Sequence, residues 1–130
     1  VLFTGSIMFM KLQRHIADLL SVEGLIFDLY VWYDEMSRLF HAYQHWATGD
    51  TGVVLAELRL CNLVLRHEIA SLRCAFERSR PPSVLLERVT RIDGDLHRQV
   101  KALSTLHELI RDQQDPWSAK LRADIERLLA

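Results

Sequence analysis

The chain has 130 residues and a formal net charge of -1, a length that suits one domain and leaves little room for two. Apolar residues make up 49% and charged residues 25%, which is a globular balance and excludes a disordered chain. The charge gives no general attraction to nucleic acid or to an anionic membrane. No segment reaches the roughly 18 uninterrupted apolar residues of a membrane span; the best run, Leu25 to Tyr33, is short and contains Asp28.

The first ten residues are apolar with no basic region before them, so no secretory signal is expected. Gly5-Ser6 reads like a cloning junction. Residues 1–7 are therefore expected to be a remnant or a disordered start, with Met8 or Met10 as the native beginning and 8–130 as a single helical-bundle domain.

The breakers are few: Gly24, the Thr48-Gly49-Asp50-Thr51-Gly52 stretch, Pro81-Pro82 and Asp115-Pro116. Between them the apolar spacing is helical throughout, with no sustained strand alternation. A short apolar helix is predicted over 8–21. The next runs from about 22 to 47, where Val22, Ile26, Leu29, Tyr33, Met36, Phe40, Tyr43 and Ala47 form one stripe; Gly24 either separates it from the first helix or bends one longer helix.

A helix over 52–79 follows, with Asp50 or Thr51 as N-cap. Its Leu55, Leu58, Asn62, Leu65, Ile69, Leu72 and Phe76 make a heptad seam with one polar member, Asn62. It must stop before Pro81-Pro82. Ser83 is the expected N-cap of a helix over 83–112, whose buried face is Val89, Ile92, Leu96, Leu103, Leu106 and Ile110, with Gly94 inside it. Asp115 as N-cap and Pro116 at the first helical position start a last short helix, with Trp117, Leu121, Ile125 and Leu128 as its stripe. Short links make neighbours antiparallel. The fold expected is an all-α, up-down bundle of three long antiparallel helices (22–47, 52–79, 83–112) with short N- and C-terminal helices.

Seven of the eleven aromatics fall on the helix over 22–47. Beside its main stripe lies a second row at sevens: Leu25, Trp32, Leu39 and Trp46. The helix over 52–79 also has a second apolar row: Val53, Leu60, Val64 and Cys74. Either these helices are covered on two sides within one chain, or the surplus width meets a second protomer or another protein. The reading adopted is a non-enzymatic protein-interaction or oligomerisation bundle, a homodimer by preference, with an interaction surface of Leu25, Trp32, Leu39, Tyr43, Trp46 and Asn62. Asn62 would bond a group inside the bundle or set register and oligomeric state.

Arg59, Arg66, Arg73 and Arg80 recur every seven residues along the seam, with Arg78 nearby. Flanking arginines ordinarily pair with acids on a neighbouring helix, here Glu87, Asp93, Asp95 or Glu108. Otherwise they form a stripe for an anion or an acidic partner. A nucleic-acid surface is disfavoured, because no exposed stacking aromatics or further basic surface accompany them.

His41 and His45, four apart, could meet one ion on a helix face. Asp34 and His67-Glu68 are the nearest further donors by sequence. The chain has no Glu-x-x-His and no His-Glu-x-x-His, so neither a carboxylate di-metal bundle nor a helical zinc protease is supported, and no metal or cofactor is expected. Cys61 and Cys74 are 13 residues apart on one helix, about 19 Å, beyond the roughly 7 Å a disulfide allows. Both read as small core residues, and two free thiols suit a reducing, cytoplasmic compartment.

Arg91 and His97, with Asp93 and Asp95 between them, resemble the Arg-x(4–6)-His signature of HEPN-type ribonucleases, small all-helical domains acting as dimers. The resemblance covers seven residues. It departs from the family at Ile92, a core position where a polar residue is usual. It implies His97 as proton-transfer group and Arg91 as phosphate stabiliser. A HEPN-like ribonuclease, or a His/carboxylate metal-binding bundle, is the alternative reading. No Gly-x-Ser-x-Gly elbow, phosphate loop or Cys-x-x-Cys occurs.

Overall fold

A computed structural model of the chain describes residues 22–130, and every described element is an α-helix: α1 (Val22–Tyr43), α2 (Gly49–Glu77), α3 (Pro82–Ile110) and α4 (Pro116–Leu129). The short helix expected over 8–21, and the start expected over 1–7, lie outside the described residues. Among the described residues there are four helices, three long and one short.

The ends of the helices follow local chemistry. α1 stops at Tyr43, four residues before the expected end. There the Tyr43 carbonyl accepts from both Trp46 N (3.1 Å) and Ala47 N (3.0 Å), closing a tight turn instead of another helical turn. α2 begins earlier than expected. Its N-cap is the extended Thr48, in place of Asp50 or Thr51, and Gly49 takes a positive φ of 58°. Asp50 instead lies in the first turn, where its charge faces the positive end of the helix.

α2 ends in a Schellman motif. Arg80 N bonds Ala75 O and Ser79 N bonds Phe76 O, both at 3.0 Å. The motif needs a left-handed residue, and Ser79 supplies it at φ 52°. A Cβ in that region is unfavourable by about 1–2 kcal/mol. Ser79→Gly is expected to raise stability by about 1 kcal/mol, read as a higher urea midpoint with unchanged slope; a lower midpoint would contradict the left-handed assignment.

α3 starts one residue before the sequence reading. Pro81, with φ -57° and ψ 151°, is the N-cap and Pro82 fills N1, since proline's fixed φ suits that position and the missing N–H costs nothing there. Ser83 is thus inside the first turn. α4 begins as the sequence indicates: the Asp115 side chain accepts from Ser118 N at 3.0 Å, with Pro116 next.

The long helices alternate in direction. Between α1 and α2, Phe40 and Leu55 line one crevice, Asn62 reaches Ser37, and the Arg73 guanidinium lies 5.8 Å from the Tyr30 ring centre. Residue numbers rise on one helix as they fall on the other. The same holds for α2 and α3, where Val54 shares a groove with Thr105, Asn62 meets Gln99 and Ala75 shares a cleft with Val84. The seam read from sequence, Leu55, Leu58, Asn62, Leu65, Ile69 and Leu72, is buried, with Phe76 partly so. Its inward spacing lets one face of α2 serve both neighbours.

α4 runs across one end of α1 and α3. Arg122 Nη1 donates to Ile110 O and Gln113 O, each at 2.6 Å, capping the C-terminal end of α3. His107 pairs with Glu126 at 3.1 Å, and Arg127 with Glu35 at 3.1 Å. Leu121, Ile125 and Leu129 bury its apolar stripe.

Candidate functional site

The second row of α1 lies inside the chain. Leu25, Trp32, Leu39 and Tyr43 are buried, and Trp46 is partly buried against the same core. This corrects the expectation that the row forms an exposed interaction surface: its side chains are buried, with Trp32 against α3 and Leu39 and Trp46 against α4. Trp32 Nε1 donates to Gln99 Oε1 at 2.6 Å, across to α3. Tyr43 donates its hydroxyl hydrogen to Asp124 of α4. Trp46 stacks on Trp117 with centroids 6.2 Å apart, and Tyr43 stands edge-on to both rings.

Asn62 is buried as well, and its partners are all in the same chain. Gln99 Nε2 donates to Asn62 Oδ1 at 3.0 Å; Asn62 Nδ2 faces Tyr33 O and Ser37 Oγ, both at 3.2 Å. Together with Trp32 these groups form one polar chain from α1 through α3 to α2 and back to α1. Sequence reasoning missed Gln99, which is wholly buried. Its signal is a polar residue on the buried stripe of α3, between Leu96 and Leu103.

The second row of α2 has the opposite fate. Val53, Leu60 and Val64 are 57%, 63% and 49% exposed, and Cys74 is exposed too. The reading of Cys74 as a core residue is thereby corrected; Cys61 is half-buried. The row belongs to a longer 4–3 pattern, Val53, Glu57, Leu60, Val64, His67, Ser71 and Cys74, along a largely exposed side of α2 that borders α3. The Leu60 end opens onto a groove of about 420 Å³ between α2 and α3, edged by Glu57, Cys61, Arg98, Lys101 and Thr105. Burial raises the Cys61 thiol pKa, with Arg98 acting against that and Asp95 and Glu57 adding to it, so the thiol is not primed as a nucleophile. Beside the groove, Asp95 is buried and its carboxyl pKa is raised by that burial, which a 2.9 Å bond from Arg98 partly offsets.

The arginine row does not meet the acids of α3. Glu87 pairs with Arg91 at 2.6 Å, Glu108 with Arg111 at 3.0 Å and Asp95 with Arg98; Asp93 lies 3.8 Å from His97. Each is an i,i+3 or i,i+4 pair along α3 and its C-cap, Arg111. The reason is rotation: Arg59, Arg66 and Arg73 flank the seam on the α1 side, where Arg59 edges a crevice with Phe40 and Arg73 lies by Tyr30 and Glu77. Arg80 is separate, beyond the end of α2.

Arg91 and His97 are both exposed, and six residues place them about 120° apart around α3. Each is held one turn back, Arg91 by Glu87 and His97 by Asp93. The fold does not bring them onto one site. His41 sits in the last turn of α1 and His45 in the turn beyond. Among the described residues no three His, Cys, Asp or Glu side chains are grouped to hold a metal ion, and no helix is long and apolar enough to cross a membrane. Compared with known proteins, the chain matches no family model, no curated protein and no solved structure.

Proposed function

We propose that this chain is a non-enzymatic interaction module that pairs with a second copy of itself through the outer face of α2. The observation that carries this reading is the exposed apolar row Val53, Leu60 and Val64 within a 4–3 pattern, the spacing that lets one helix interlock with another. A two-fold axis near residue 62 supports an antiparallel crossing. Pairing residues whose numbers sum to 124 sets Leu60 against Val64, Glu57 against His67 and Val53 against Ser71, each contact made twice. Apolar residues then meet at the centre, with complementary polar groups on either side. The free thiols of Cys61 and Cys74 suit a reducing compartment such as the cytoplasm.

Light scattering across a concentration series tests this. Wild type is expected to dimerise, and Leu60→Glu or Val64→Glu to weaken the dimer at least about tenfold while keeping its helicity, since both side chains are already exposed. Glu57→Lys should weaken it, and His67→Glu in the same chain should restore it. A photo-crosslinker at Leu60 identifies the occupant: an adduct with a different protein leaves an interaction module but removes the homodimer. A monomer at high concentration with no adduct sinks the whole reading.

A further inference from the structure

Where α2 turns into α3, a cleft of about 220 Å³ is lined by Ser71, Cys74, Arg78, Arg80, Val84 and Arg88. No acidic side chain lines it. The acids adjacent in sequence are engaged elsewhere, Glu77 with Arg73 at 3.7 Å and Glu87 with Arg91 at 2.6 Å. Among the described residues, none of the three guanidinium groups makes a hydrogen bond or ion pair. The Arg88 Nε–H is buried without an acceptor, a state that disfavours the fold unless an acceptor arrives.

The negative C-terminal end of α2 accounts for a cation at Arg78 or Arg80. It does not account for Arg88, which lies in the second turn of α3, towards the positive end of that helix. Three like charges gathered at one cleft, in a chain of net charge -1, form a local field that a multiply charged anion relieves. Planar guanidinium forks match tetrahedral oxyanions, and the Ser71 hydroxyl adds a neutral donor.

We propose that this cleft binds a phosphoryl group, the dianionic oxygens of inorganic phosphate or of a small phosphate monoester, with Arg78, Arg80 and Arg88 as its ligands. The site shares Ser71 and Cys74 with the α2 pairing face, but Arg80 and Arg88 lie outside that seam, so their variants read the cleft separately from the pairing. It also differs from the arginine stripe along α2, since only Arg80 belongs to both.

Amide NMR titration of the full chain at constant ionic strength tests it, with inorganic phosphate and O-phosphoserine as probes and chloride as control. Saturable shifts confined to about residues 71–88 are expected with both probes and not with chloride. The tighter probe identifies the source as free phosphate or a monoester. Arg88→Gln and Arg80→Gln should each weaken binding about tenfold. Arg80 lies outside the helices and is exposed, so its variant keeps the test valid if Arg88→Gln perturbs packing. Shifts that do not saturate, that fall equally on Arg59 and Arg66, or that survive both substitutions would overturn the proposal.

Discussion

Trp32→Ala is expected to destabilise the protein by about 4 kcal/mol, the usual scale for truncating a large buried aromatic. Two losses combine. The indole is buried among the core residues of α1 and α3, so its removal leaves a cavity. Its N–H is also the donor to Gln99 Oε1, so a wholly buried amide oxygen loses its partner. Trp32→Phe separates the terms: it keeps most of the ring and removes the N–H, for an expected cost of about 1–3 kcal/mol.

The damage should spread along the polar chain. Gln99→Leu strands both the Trp32 N–H and the Asn62 carbonyl oxygen, which its amide joins. Combining Trp32→Phe with Gln99→Leu removes both ends of one bond, so the double variant should be more stable than the sum of the singles predicts. Strict additivity in urea unfolding would show that the bond is not formed. Trp46→Ala, at a partly buried position, should cost clearly less than Trp32→Ala. If the row were an interface between copies, both substitutions would instead shift the monomer–dimer balance and leave monomer stability nearly unchanged.

A second large effect is expected at high pH. Burial, and then the hydrogen bond and charge of Asp124, push the Tyr43 phenol well above its ordinary value of 10.0. Above pH 10.0 the unfolded chain loses this proton while the folded chain keeps it. The folded state then binds more protons, so stability falls as pH rises. The contribution is complete below the unfolded value of 10.0 and is lost progressively from there towards the folded value.

Tyr43→Phe is expected to cost about 1.5 kcal/mol at pH 8, where Asp124 loses a donor. That difference from wild type should shrink steadily above pH 10. Paired urea titrations from pH 8 to 11 isolate it, because the other titrating groups are common to both proteins. A difference that stays constant with pH would contradict the assignment.

Much of the fold is legible in the chain itself. The Leu55-to-Phe76 seam, the stop at Pro81-Pro82 and the Asp115-Pro116 start are local features. Each is set by helical spacing or by backbone chemistry within a few residues, and the structure repeats them. The boundaries that moved, at Tyr43, Thr48 and Pro81, moved by one to four residues, following the turn hydrogen bonds to the Tyr43 carbonyl, the positive φ of Gly49 and the fixed φ of the two prolines.

The candidate site was legible only as a pattern. Leu25–Trp32–Leu39–Trp46, along α1 and the turn after it, and Val53–Leu60–Val64–Cys74 on α2 look alike in sequence, each a second apolar row beside a main seam. Helical periodicity says which residues share a face, not what lies opposite that face. Packing of α3 and α4 covers the first row with Gln99, Asp124 and Trp117 and leaves the second in solvent. Likewise, the seven-residue spacing of the arginines fixes their side of α2, but only the direction in which α3 leaves the Pro81-Pro82 turn sets Arg88 beside Arg78 and Arg80. The sequence by itself determined the helices and their inward stripes, because those arise from neighbours within one or two turns. Which surplus face became core and which became surface was decided by contacts between residues some 40 to 80 positions apart, and these exist only once the helices are packed.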